Sequence, residues 1–219
     1  MNYTESLTYK FIEIEKSLVE LQYLRTDLTY IANQDSIYFE STVKDSFFFK
    51  RVFINGTRLV FINLHMLLNK KEDFSIYSIL DFIQSNYQAI EWHRDFDKYF
   101  LISLYQKLEH LDINILAELK TLRDKYLVHN DSNKKSFPVR IGLEDAWHIL
   151  DCLNEIYAAI RLRFDNRQLI FEIYGDKPVE VMNLYRYKKI RSYSLERITS
   201  PSLQDLNNIR MIIKDKEPA

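Results

Sequence analysis

The chain is poor in the residues that interrupt or cross-link a fold. It has one cysteine, Cys152, so no disulfide can form within it, which fits a reducing cytosol. Only three glycines and four prolines occur, and residues 1–137 contain no proline and a single glycine, Gly56. A long stretch without helix breakers favours long helices. Net charge is nearly absent, with 30 basic against 31 acidic residues. No global field therefore draws the chain to nucleic acid or to a membrane, and any nucleic-acid contact has to come from a local patch. The N-terminus, MNYTESLTYKFIEIEK, shows no basic segment followed by an apolar run, so no secretory signal is expected. The most apolar window, residues 59–68, is too short to span a bilayer and includes Asn63 and His65. Motifs of other chemistries are missing too: there is no phosphate-binding glycine loop, no dinucleotide turn and no nucleophile elbow.

What is present is apolar patterning. The 219 residues are 47% hydrophobic and 14% aromatic, enough for a sizeable core. Leu7, Phe11, Ile14, Leu18, Leu21 and Leu28 recur at helical spacings and predict a long first helix. Segment 39–70 is apolar nearly all round and predicts a buried central helix, with Phe47, Phe48 and Phe49 in the core or an interface. Asp73 or Ser75 caps a third helix carrying Ile76, Ile79, Leu80, Ile83 and Tyr87. A fourth pattern runs through Trp92, Phe96, Tyr99, Leu104 and Leu108, and Asp112 caps a fifth. After the loop at Asn130–Pro138 and Gly142, a further helix carries Leu143, Ala146, Trp147, Leu150, Leu153, Tyr157, Ile160 and Phe164. Cys152 is expected in its core. The region from about 168 is less regular, and RQLIFEIY fits either a short strand or a helix tail. The fold expected is all-α: an antiparallel helical bundle over residues 1–167, with a smaller C-terminal appendage at 168–219.

The stretch richest in chemistry is LRDKYLVHND, residues 122–131. An arginine separated from a following histidine by four to six residues is weak evidence alone. With 13 arginines and 5 histidines, about one such pair arises by chance, and Arg58–His65 is a second. Context separates the two. On a helix, Ile115, Leu116, Leu119, Leu122 and Tyr126 form one stripe. Arg123 falls roughly 50° to one side of its centre and His129 roughly 70° to the other. Polar groups bordering a packing face need partners. A histidine near a helix C-terminus moves protons near neutral pH, and an arginine suits a phosphate or its transition state. Together they suit metal-free RNA cleavage, in which the 2′-hydroxyl attacks the adjacent phosphate. The plainer interpretation is that Arg123 pairs with a carboxylate while His129 caps its own helix.

Arg123, Asp124 and His129 match, position by position, the signature of the HEPN superfamily, and the RDKYLVHND form resembles its AbiU-type abortive-infection members. The resemblance covers roughly residues 1–167. It implies an all-α bundle that dimerises through the motif helices, so that two copies build one composite site. Many members are metal-independent endoribonucleases of phage-defence or toxin–antitoxin systems, and others are non-catalytic modules that bind RNA or protein and dimerise. The site residues so implied are Arg123 on the phosphate, His129 in proton transfer or phosphate contact, and Asp124 orienting the others. Asn130 is a candidate substrate contact, as are Lys134 and Lys135 in the following loop. The basic, tyrosine-rich RYKKIRSYSLER adds Arg186, Lys188 and Lys189 as candidate RNA contacts, although a solvated face explains such a run equally. Asp131 stands where one toxin branch carries a tyrosine modified by its partner enzyme. No histidine pair has metal-ligand spacing, so neither metal nor cofactor is expected. The partners expected are RNA, a second copy of the chain and an antitoxin or defence protein, with no membrane and a cytoplasmic location.

Overall fold

The structure is a computed structural model, which describes residues 2–33, 46–111, 113–123 and 141–168. Those residues form an all-α helical bundle, with six α-helices and no strand among them. The helices are α1 (Tyr3–Ala32), α2 (Phe47–Leu68), α3 (Ile76–Asn86), α4 (Lys98–Glu109), α5 (Ile113–Leu122) and α6 (Leu143–Phe164). The chain divides into two units, Met1–Leu28 with Val52–Ile173, and Thr29–Arg51 with Tyr174–Ala219. The core below belongs to the first. In the second, Phe49 is buried against Tyr30 and Ile31, while Phe47 and Phe48 are exposed. The expected boundary at 167/168 lies where the described residues end.

The predicted stripe of α1 is the buried one: Leu7, Phe11, Ile14, Leu18, Leu21 and Leu28 are each at most 1% exposed. They pack on α6, whose Ala146, Leu150, Leu153, Tyr157, Ile160 and Phe164 are also buried. The two helices run antiparallel, because Phe11 meets Tyr157 and Phe164 whereas Arg25, about four turns further along α1, pairs with Asp151. The α1–α2 pair is antiparallel too. Leu28 lies against Gly56, and Lys10 donates to the Asp73 carbonyl beyond the end of α2. Gly56 permits that approach, since a Cβ there would stand 2.9 Å from Leu28 Cδ2. The only glycine before residue 142 is thus a packing residue.

Three expectations are corrected. α2 is not buried all round. Val60, Leu64 and Leu67 face the core, while Val52, Ile54, Leu59 and Met66 are exposed on its other side. The fourth helix begins only at Lys98, so Trp92 and Phe96 precede it, and Tyr99 is 82% exposed. The reason is local competition for backbone donors. His93 and Arg94 give their N–H groups to the Phe164 and Arg163 carbonyls at the end of α6, and Asp97 then caps Phe100. Trp92 and Phe96 stack at 4.0 Å and keep their apolar contacts without helical backbone. Cys152 is half-buried rather than core. Its thiol lies 3.8 Å from the Lys107 carbonyl, and burial, with the Glu155 carboxylate beside it, pushes its pKa up.

Of the two caps proposed for α3, Ser75 is the one used, its hydroxyl accepting the Ser78 N–H at 3.1 Å. Asp112 lies outside the described residues. Gly142 precedes α6, and its N–H is held by the Asp145 carboxylate at 2.8 Å.

Candidate anion-binding cleft at Arg123

Helical spacing decides what α5 presents at its exposed edge. Leu116, Leu119, Lys120 and Arg123 stand at i, i+3, i+4 and i+7, so they share one face. Leu119 is 1% exposed and anchors that face in the core, leaving Lys120 and Arg123 along its rim. Opposite lies the end of α2, with His65 and Leu68, and the turn that follows, with Asn69, Lys70 and Lys71. Tyr77 from the first turn of α3 closes the wall. These residues enclose a cleft of about 450 Å³.

The cleft is cationic. Lys70, Lys71, Lys120 and Arg123 line it, and among the described residues no carboxylate does. Asn69 shapes the turn, since its side chain accepts the Lys71 N–H and donates to Glu72. The Lys70 ammonium sits 4.7 Å above the Tyr77 ring, a cation–π contact that holds the charge at the wall. Burial pushes the Tyr77 hydroxyl pKa up, and the negative charges of Glu109, Cys152 and Asp81 add to the effect. Arg123 is half-buried, and its Nη1 lies 3.4 Å from His65 Nδ1, a long contact. A guanidinium has no lone pair to offer, so in this contact Nδ1 is the acceptor. His65 is only 8% exposed, so its ring is fixed against the arginine from below rather than offered to solvent.

Among the residues predicted for the site, Arg123 alone is described. Asp124, His129, Asn130, Lys134, Lys135, Arg186, Lys188 and Lys189 lie outside the described residues. Four residues of the cleft were not singled out by sequence reasoning for any role toward Arg123: His65, Lys70, Lys71 and Lys120. His65 entered only as half of the chance pair with Arg58, although 58 residues separate it from the arginine it touches. The usable signals were the Lys70–Lys71 doublet directly after an apolar helix, and the shared face of Lys120 and Arg123. Among the described residues no cluster of histidine, cysteine or carboxylate side chains could hold a metal ion, and no helix is long and apolar enough to cross a membrane.

A guanidinium flanked by three ammonium groups, over a buried imidazole, is suited to anions, and to phosphates above others because the charge is spread over several donors. Comparison of the chain with family models, with curated proteins and with solved structures finds no match.

Proposed function

We propose that the protein is a metal-independent endoribonuclease of a prokaryotic phage-defence or toxin–antitoxin system, acting in the cytoplasm as a homodimer whose motif helices build one composite site. The observation that carries this is the setting of Arg123. The arginine of the RDKYLVH motif opens onto a cleft whose described lining holds four cations and no carboxylate, an environment suited to a phosphodiester. The all-α bundle around it is the architecture that the HEPN resemblance implies. In this mechanism a 2′-hydroxyl loses its proton as its oxygen attacks the adjacent phosphorus. The P–O5′ bond breaks, and the leaving 5′-oxygen takes up a proton. Arg123 stabilises the charge gathered on the phosphorane. His129 carries one of the two proton transfers or contacts the phosphate, and Asp124 orients these groups or those of the second copy. The products are a 2′,3′-cyclic phosphate and a 5′-hydroxyl.

The test is cleavage of mixed RNA by the purified protein in EDTA, wild type beside His129→Ala and Arg123→Lys, with analysis of the product ends. Cleavage by the wild type alone, leaving cyclic or 3′-phosphate ends, is expected. Cleavage that stops in EDTA, or that persists in both variants, refutes the mechanism. A folded dimer that binds RNA and leaves it intact points to a non-catalytic binding module.

A further inference from the structure

The lysines of the cleft outnumber what the fold needs. The C-terminal end of α2 carries a partial charge of about −0.5 from its aligned peptide dipoles, which one lysine at Lys70 or Lys71 would offset. The cleft holds four formal cations, Lys70, Lys71, Lys120 and Arg123, in a chain whose net charge is −1. Of the three lysine charges, roughly two therefore remain beyond what the helix dipole offsets. None of the three lysines forms an ion pair with a carboxylate among the described residues. Elsewhere in the bundle the pattern is different. Lys107 pairs with Glu155, Arg25 with Asp151 and Lys16 with Glu13. Concentrated, uncompensated positive charge around a concave surface raises the local concentration of anions.

Size and shape narrow the ligand. At about 450 Å³ the cleft is larger than a lone phosphate needs. It lies within the range of about 300–1,000 Å³ typical of sites for small organic ligands. Tyr77 offers no free stacking face on the side covered by Lys70. The groups that reach the cleft are thus charge donors spaced along its walls, and a ligand would be held by its phosphates with little regard to base identity.

We propose that this cleft is a subsite for the sugar–phosphate backbone of single-stranded RNA, in which Lys70, Lys71 and Lys120 take the phosphates flanking the one at Arg123. The proposal rests on the ribonuclease reading for its choice of substrate. It adds that affinity comes from the α2–α3 turn and α5 of each chain, outside the arginine–histidine motif. His65 is a positioning residue. It meets one N–H of the Arg123 guanidinium at the floor of the cleft.

The probe is a short single-stranded oligoribonucleotide bearing 2′-O-methyl groups, which binds without being cleaved because the attacking hydroxyl is blocked. Its affinity is read by fluorescence anisotropy across a salt series for three proteins. These are the wild type, Lys70→Ala/Lys71→Ala/Lys120→Ala, and a control, Lys16→Ala/Lys50→Ala/Lys98→Ala, that removes the same charge elsewhere. Three phosphate contacts on a single strand contribute about 2 to the slope of log K against log salt, and about a hundredfold in affinity at 0.1 M salt. The cleft variant is expected to lose both, and the control neither. Equal losses in the two variants, or a wild type that does not bind the probe, overturn the subsite. Because the probe cannot react, the outcome is separate from catalysis. Tight, cleft-dependent binding by a protein that never cleaves RNA retains the subsite and removes the nuclease.

Discussion

Arg161 offers the sharpest test of the bundle that carries the site, because its burial and its partners fix the size of the effect. It is 3% exposed, between α1 and α6. Nη1 donates to Glu15 Oε2 at 2.8 Å and to the Tyr157 hydroxyl at 2.8 Å, while Nη2 donates to Asp165 Oδ2 at 2.6 Å. Its guanidinium also lies 5.0 Å from the centre of the Phe11 ring. Replacing it by methionine keeps most of the apolar stem and its volume, so the cavity term is small. The remaining loss is electrostatic: Glu15 and Asp165 lose their shared cation, while Asp165 keeps Arg167 at 3.2 Å. Breaking a fully buried pair in this way costs about 3–5 kcal/mol. Here Glu15 and Asp165 keep 32% and 26% of their side-chain surface in water. Solvent therefore screens part of the charge, and about 2–3 kcal/mol is the expected loss. For a chain of this size that corresponds to a fall in Tm of about 4–12 °C. Tyr157→Phe removes one neutral hydroxyl, which has a single proton to share between the Phe11 carbonyl and Glu15. It costs about 1 kcal/mol. Thermal and urea unfolding of Arg161→Met, Tyr157→Phe and the double variant measure both terms, and the double should fall short of their sum because the two groups share partners. An Arg161→Met protein melting within about 1 °C of wild type, or one less affected than Tyr157→Phe, refutes the assignment of Arg161 as the clasp between the helices.

Gly56→Ala sets two terms against each other. Alanine gains about 1 kcal/mol of helix propensity, but its Cβ would meet Leu28 Cδ2 at 2.9 Å, and Leu28, 1% exposed, would have to shift within the core. Overpacking of about 1–3 kcal/mol wins, so urea unfolding should show a net loss, and a stabilised variant contradicts the close approach of α1 and α2. His65→Leu should weaken RNA binding by about fivefold, the equivalent of about 1 kcal/mol, since at 3.4 Å the bond is too long for the full strength of one to a charged group. His65→Asn, whose carbonyl can replace Nδ1 as acceptor, should retain most of it. If both variants fall equally, His65 only fills space. Alkaline pH should loosen the fold. The hydroxyls of Tyr77, Tyr105 and Tyr157 are held above their ordinary pKa, first by burial and, for Tyr105, next by its hydrogen bond to Asp81. The unfolded chain ionises its tyrosines near pH 10. Above that pH it has lost protons that the folded chain keeps, so this stability is complete below about pH 10 and declines as pH rises beyond it. Urea midpoints taken between about pH 8 and pH 11, beside phenolate absorbance, check the sign. A flat midpoint, or native tyrosines that all ionise normally, would count against it.

The legibility of this chain follows the range of the interactions concerned. The α1 and α6 stripes were readable because burial at helical spacing is a local property, repeated over 30 residues in α1 and 22 in α6. Trp92 and Phe96 were assigned to a helix because their spacing is helical, yet their backbone is settled by carbonyls some 70 residues away at the end of α6. α2 was expected to be buried all round because its composition is apolar. Composition, though, does not say how many neighbours a helix has, and Val52, Ile54, Leu59 and Met66 have too few to be covered.

The same distinction governs the site. Arg123 could be found because its motif is compact in sequence, whereas the groups that shape its surroundings come from the end of α2, the turn after it and the start of α3. His65 illustrates the limit. In sequence it belonged to the weaker of two arginine–histidine pairs, and among the described residues it is a histidine that Arg123 meets. Motif spacing samples one helix face at a time, while anion recognition needs charges converging from several. The motif can thus nominate the arginine but leaves out the lysines that would give it an affinity for phosphate. A search for positions where cationic faces from different helices converge without carboxylates would have found the cleft from the fold with no motif at all. That independence is why loss of binding in the lysine variants and loss of cleavage in the motif variants are separate measurements of one site.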